Sequence, residues 1–186
     1  LFKVIVSTGY SFEFPLAERG ELIPVKDNEV NLYKLMYPPQ LASKNTLAVI
    51  GLIQPFGSIM PASEMQARLF FSVLSQQTHL PSFDQMQQEI DYYKTQLRKQ
   101  FVHSRRHTIE ANYIAYMDEL ASLIGAKPNL TKLFLTDPKL AWKVLFGPAV
   151  SYIYRIQGPH RWSDARQAIM TVQERCLAPT QKPFAQ

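Results

Sequence analysis

An α/β fold is predicted by three features of the chain. Val4-Ile5-Val6 is a β-branched run that ends at Thr8-Gly9. Thr46 to Ile53 is an almost unbroken apolar run, as expected of a strand buried on both faces. Beyond residue 80, apolar residues recur at helical spacing: Met86, Ile90, Tyr93, Leu97 and Phe101, then Tyr113, Met117, Leu120 and Ile124. The first third therefore reads as sheet-like and the remainder as mostly helical. The boundary falls near His79-Leu80-Pro81, giving segments 1–79 and 80–186.

The elements follow in order. Val4 to Val6 reads as a buried strand stopped by a Gly turn. A strand that starts at residue one, without an initiator Met, suggests a sequence that begins inside a larger fold. Tyr10 to Arg19, with Phe12, Phe14 and Pro15, reads as an ordered loop. Leu22 to Leu35 resembles a hairpin, because Asp27-Asn28 tolerates the turn conformation required. Tyr37-Pro38-Pro39 breaks the chain before the apolar run. A helix is expected from about Pro61 to Leu74, since Pro suits a first turn. Ser82 with Gln85 fits a capping box before the next helix. Gly125 marks a stop. Asp137-Pro138 opens a helix that closes at Gly147-Pro148. Tyr152 to Ile156 reads as a strand, Ser163 as the cap of a last helix to about Arg175, and Pro179 to Gln186 as a frayed tail.

Composition narrows the function classes. Hydrophobic residues make up 46% and charged residues 19% of 186 residues, enough to bury a core. The net charge of +5 and a pI near 9.3 suit an anionic partner such as a phosphate cofactor or a membrane surface. No nucleic-acid motif accompanies the charge, so no nucleic-acid partner is expected. Cys176 is the sole cysteine, which excludes an internal disulfide and a thiolate metal site. His103 and His107 stand at i, i+4, but Arg105-Arg106 lie between them and no Glu motif follows, so no metal is expected. Lys94, Arg98, Lys99, Arg105 and Arg106 form a basic cluster, readable as a solvated face or as a contact for anionic headgroups. No run approaches the roughly 20 apolar residues of a membrane span. No G-x-G-x-x-G loop and no nucleophile elbow occur, and the adjacent Asp118 and Glu119 do not face each other.

Two segments carry a resemblance to the flavin-containing monooxygenases of vertebrates. Ser7-Thr8-Gly9-Tyr10-Ser11-Phe12-Glu13-Phe14-Pro15 resembles the Thr-Gly-Tyr passage between the NADPH and FAD domains. Gly51-Leu52-Ile53-Gln54-Pro55-Phe56-Gly57-Ser58-Ile59-Met60-Pro61 resembles the last FAD-domain strand and its helix. Tyr116-Met117-Asp118-Glu119-Leu120, Thr136-Asp137-Pro138-Lys139-Leu140-Ala141, Phe146-Gly147-Pro148 and Gln157-Gly158-Pro159 extend the likeness over nearly the whole chain. Ser7 stands where the family usually has Ala, and Leu69-Phe70 where a Trp is expected. The family's two Gly-rich fingerprints and its apolar C-terminal anchor are not among these residues.

The resemblance implies that residues 1–79 hold the NADPH/FAD-domain junction and the closing strand and helix of the FAD domain. Residues 80–186 then form a helical C-terminal segment of that two-dinucleotide-domain flavoprotein. It implies FAD and NADPH as cofactors, dioxygen as co-substrate and a small amine or sulfide as oxygen acceptor, through a flavin C4a-hydroperoxide. It further implies missing N-terminal domains of the same chain, and membrane association of the parent enzyme at the cytosolic face of the endoplasmic reticulum. A fragment alone is expected to be inactive. The competing reading is a truncated, non-catalytic interaction or membrane-binding module. Cofactor-contact candidates are Thr8, Gly9, Gln54, Gly57 and Ser58, with no catalytic residue assigned. Gln54 can equally be a satisfied loop amide, and Gly57 a simple turn.

Overall fold

The structure, a computed structural model, describes residues 3–7, 9–102 and 104–181. The described chain is mixed helix with a small sheet, an α/β architecture in keeping with part of a flavoprotein. It divides into two compact units, Leu1–Tyr113 and Ile114–Gln186. This division lies downstream of the change of composition near residue 80. Helix α2 (Phe83–Gln100) follows that change, yet its side chains engage the first unit through Lys34–Glu89 (2.8 Å) and Asn31–Gln87 (2.7 Å).

In the first unit, irregular chain does much of the burying. Ile23, Val30 and Leu32 form a core with Phe12, Phe14, Leu22, Leu47, Val49, Leu52 and Ile109 around it. The expected turn at Asp27-Asn28 is present: both residues have left-handed φ (53° and 60°), and Lys26 bridges Glu29 across it. A second tight turn, unforeseen, joins Tyr33 to Tyr37 through left-handed Lys34 and Leu35.

Two expected strands are absent. Val4, Ile5 and Val6 are exposed and outside any ladder, since no described residue pairs with them. Thr46 to Ile53 runs without a ladder too. The chain turns at Gly51, and the Ile53 N–H bonds back to the Gly51 carbonyl (2.9 Å) and not to a neighbouring strand. Only the two residues beyond it pair. Strand β1 (Gln54–Pro55) lies parallel to β2 (Glu110–Ala111), with Gln54 opposite Glu110.

Helix α1 (Ile59–Leu74) starts within two residues of its expected position and buries Ala62, Met65, Gln66, Arg68, Leu69 and Ser72. Buried Gln66 accepts the Gly51 N–H (2.7 Å), which ties the helix to the incoming chain. Helix α2 begins with the expected box: Ser82 Oγ accepts from the Gln85 N–H, and the Gln85 side chain accepts the Ser82 N–H.

Helix α3 (Tyr113–Leu123) carries Tyr116, Met117, Leu120 and Ala121 inward, and left-handed Gly125 follows it. In the second unit, α4 (Leu130–Thr136) starts at Asn129, whose side chain accepts the Lys132 N–H. That short helix was not anticipated. Helix α5 (Pro138–Phe146) is capped by Asp137 as expected. Leu133, Leu140, Ala141 and Ile169 form the core there.

The strand expected at Tyr152 to Ile156 is instead a 3-10 helix, Ser151–Arg155, because local bonds such as Ile153 N–H to Val150 satisfy the backbone. The last helix is two short ones, α6 (Ala165–Met170) and α7 (Val172–Leu177), divided at Thr171. Ser163 does not cap α6; its hydroxyl meets the Asp164 carboxylate at 3.5 Å. Thr8, His103 and residues 182–186 of the tail lie outside the described residues.

Candidate functional site

The segment from Gln54 to Ser58 places three of the five candidate residues together. The Gln54 N–H donates to the Ile109 carbonyl (2.9 Å), which fixes the strand and leaves the Gln54 side chain exposed. Pro55 ends the pairing. Phe56 turns outward and stacks on Phe101 (6.0 Å, 17° between planes), and Phe101 in turn stacks on His107 (5.6 Å, 17°).

Gly57 adopts φ +151°, and a Cβ placed on it would sit 3.3 Å from the Tyr113 ring. A side chain there would be strained in its backbone and would press on that ring. Tyr113 is held protonated, its pKa raised first by burial and then by the charge of Glu64.

Ser58 occupies the N-cap position of α1 in extended conformation, but its side chain makes no capping bond. The first-turn N–H groups of Ser58, Ile59 and Met60 thus have no side-chain cap, and Pro61 contributes none. The helix end carries partial positive charge. Exposed Phe56, Ile59 and Met60 surround it with apolar surface. Aligned donors inside an apolar rim suit the edge of a flat, electron-rich ring that gains negative charge. The donor set therefore fits the pyrimidine side of a flavin.

Gly9 lies on a separate stretch. Its φ is +86°, and nothing within 4 Å would meet an added Cβ. The neighbouring Tyr10 carbonyl accepts from the Asn28 amide (2.9 Å). The partner of Gly9 in the sequence reading, Thr8, is not described. Among the described residues no group of three or more His, Cys, Asp or Glu side chains is placed to hold a metal.

Sequence reasoning missed the second layer of this region. Glu110 is buried in β2, and its carboxylate meets His107 Nδ1 at 3.1 Å. Tyr93 donates to the Glu110 carbonyl. Only the helical spacing of Tyr93 hinted at an inward role, and nothing in the sequence linked Tyr113 to Gly57.

Comparisons with known proteins identify the family of the chain. Residues 2–185 match the family described as Flavin-binding monooxygenase-like. Flavin-containing monooxygenase 5 of Rattus norvegicus is 47% identical over 176 residues, 95% of this chain and 32% of that protein. Dimethylaniline monooxygenase (N-oxide-forming) 2 of Cavia porcellus is 46% identical over the same shares. A solved structure, the S-allyl-L-cysteine S-oxygenase of Allium sativum, is 26% identical with a TM-score of 0.57, covering 88% of this chain and 37% of that one. The chain spans about a third of the length of the curated relatives it matches.

Proposed function

From the Flavin-binding monooxygenase-like family, to which this chain belongs, we propose that it forms the flavin-ring edge and the helical region of an FAD- and NADPH-dependent monooxygenase. The observation that carries this reading is the uncapped α1 N-terminus, set behind Gly57 and beside the exposed Gln54 amide. Bound FAD supplies the chemistry by which dioxygen is activated, with NADPH as the reductant. The residues of this chain bind and orient. The Gln54 amide hydrogen-bonds the ring edge. The N–H groups around Gly57 and Ser58 face the developing negative charge, a pre-organised arrangement that favours the charged form. Gly9 lies beside the cofactors at the domain junction, where its absent Cβ permits close approach; Thr8, the other candidate there, is outside the described residues. Phe56, Ile59 and Met60 exclude water from the ring.

One oxygen atom is transferred to a soft nucleophile, an amine nitrogen or a sulfide sulfur. The dinucleotide phosphates are held by the part of the enzyme that corresponds to the remaining two thirds of its relatives. The parent enzyme acts at the cytosolic face of the endoplasmic reticulum membrane, although no described helix is long and apolar enough to cross one.

The test is to isolate the native polypeptide with an antibody against the segment 108–140. A chain about three times this length, with flavin absorbance and NADPH-dependent sulfide oxidation, is the expected result, since this chain covers 32% of its relatives. In that enzyme Gln54→Ala should increase peroxide release per NADPH consumed. A flavin-free polypeptide of 21.4 kDa would overturn the reading.

A further inference from the structure

A second cleft lies in the first unit, between the Asp27-Asn28 turn, the C-terminal half of α2 and the 104–108 loop. Its volume is about 60 Å³. At roughly 10–15 Å³ for each water this is room for about four waters, or for one small polyatomic ion. The walls are basic: Lys94, Arg98, Arg105 and His107 line it, facing the carboxylates of Asp27 and Glu29. Three fixed cations, Lys94, Arg98 and Arg105, thus meet two anions, while His107 is engaged by Glu110.

The ion pairs across the cleft are loose. Arg98 stands 3.7 Å from Glu29, and Arg105 stands 3.9 Å from Asp27. Charge-assisted hydrogen bonds close to about 2.8 Å, so at these separations neither carboxylate takes up the guanidinium donors. Lys94 Nζ reaches only the Asn31 amide oxygen, at 3.3 Å. Thr108 also lines the cleft, but its hydroxyl oxygen is closed to solvent and lies behind the wall. Leu97 and Phe101 supply an apolar floor. The loop itself is fastened, since the buried Asn28 side chain donates to the Arg105 carbonyl (3.2 Å).

We propose that this cleft binds a small oxyanion, a carboxylate or phosphate group, through Arg98 and Arg105. The guanidinium forks match two oxygens of such a group in geometry as well as charge. Asp27 and Glu29 are the internal competitors, which sets the affinity below that of an all-cationic site. The cleft shares Phe101 and His107 with the stack behind Phe56, but Arg98 and Arg105 have no part in the flavin reading and no residue of the Gln54–Ser58 segment lines it.

The test is an amide NMR titration of this chain at fixed ionic strength, with chloride exchanged for inorganic phosphate in one arm and for acetate in the other. Saturable shifts confined to Arg98 and the 104–108 loop are expected. Saturation by phosphate alone identifies a tetrahedral ligand, and saturation by acetate as well identifies the shared carboxylate geometry. Arg98→Gln with Arg105→Gln should weaken binding at least about tenfold, in line with the worth of hydrogen bonds to charged groups. Glu29→Gln, which removes a competitor and leaves the fold's apolar contacts intact, should tighten binding. Linear shifts spread over all basic residues, or unchanged affinity in the arginine variant, would overturn the proposal.

Discussion

Tyr37 and Tyr154 are both fully buried tyrosines, one in each unit, and they are accommodated in opposite ways. Tyr154 sits in a 3-10 helix and donates its hydroxyl to Asp118 (2.9 Å). Tyr37 sits in an irregular turn, stacks on Phe70 (6.5 Å) and leaves its hydroxyl without a partner. The contrast runs through the two units. The second is built from short helices, two of which, α4 and α5, are fixed by side-chain caps. The first buries Tyr33, Leu35, Met36 and Tyr37 in chain that is neither helix nor ladder. A region made of capped helices meets its polar requirements locally, one terminus at a time. A region made of turns must find partners for each buried polar group from distant chain, and at Tyr37, as at Thr108, it does not.

The strongest way to break the second unit is at Gly158. Its φ is +76°, and a Cβ there would lie 2.6 Å from the Gly125 carbonyl oxygen and 2.9 Å from Ala126 Cα. Backbone cannot yield as a side-chain tip does. Gly158→Ala should therefore cost about 3 kcal/mol, combining left-handed strain with overpacking. Both tryptophans, Trp142 and Trp162, lie in this unit, so their fluorescence in a urea titration reads the loss. An unchanged midpoint would mean that Gly125 and Gly158 are not in contact.

Removing a cap should weaken the same unit less. Asp137 accepts the Leu140 N–H (3.1 Å) and pairs with Arg166 (2.6 Å). Asp137→Ala should cost about 1 kcal/mol, the usual worth of an N-cap. The Arg166 hydrogen bond first, then the Leu140 N–H, holds this carboxyl below its ordinary value. A depressed folded pKa contributes stability that is present above the unfolded value and is lost as pH falls through the folded one. The stability of the second unit should thus fall as pH drops through the folded Asp137 pKa, and the Asp137→Ala variant should lack that part of its acid dependence.

The first unit should respond in the opposite sense. Tyr37→Phe removes an unsatisfied buried hydroxyl without altering the ring, and should stabilise by up to about 1 kcal/mol. Slower exchange of the Val49 amide, which bonds the Met36 carbonyl at 2.9 Å, is the readout. Burial, and next Tyr33, pushes the Tyr37 pKa above its ordinary 10.0. Its contribution is complete below that value and falls as the pH rises beyond it, so the variant should also unfold less readily in alkali. Faster exchange in Tyr37→Phe would show that the hydroxyl has a partner after all.

What could be read from the sequence follows the same divide. Ser82 with Gln85 and Asp137-Pro138 are complete local instructions, and both helices begin where those residues place them. The Asp27-Asn28 turn was legible for the same reason. Thr46 to Ile53 has a strand's composition, but a ladder depends on a partner elsewhere in the chain, and the bend at Gly51 redirects the run before any forms. Lys34 and Leu35 give no signal of left-handed backbone, so the second tight turn was hidden. Thr171, an ordinary helix residue on paper, divides the last helix. At the candidate site, Gln54, Gly57 and Ser58 were singled out by family likeness alone, and the Tyr113 ring beside Gly57 was invisible without coordinates.

The pairing of Gln54 with Glu110 has a consequence for how the chain tolerates change. Two short parallel segments clasp a long excursion that contains both α1 and α2. The entropy of closing such an excursion grows only logarithmically, about 0.6 kcal/mol for each doubling of length. The turn between the two helices, around Gln76 to Thr78, is thus a place where the family can vary its length at little thermodynamic cost. Pro55 and Ala111 have no such latitude, because a shift of one residue at the clasp would carry Phe56 and Gly57 away from Phe101 and Tyr113 together.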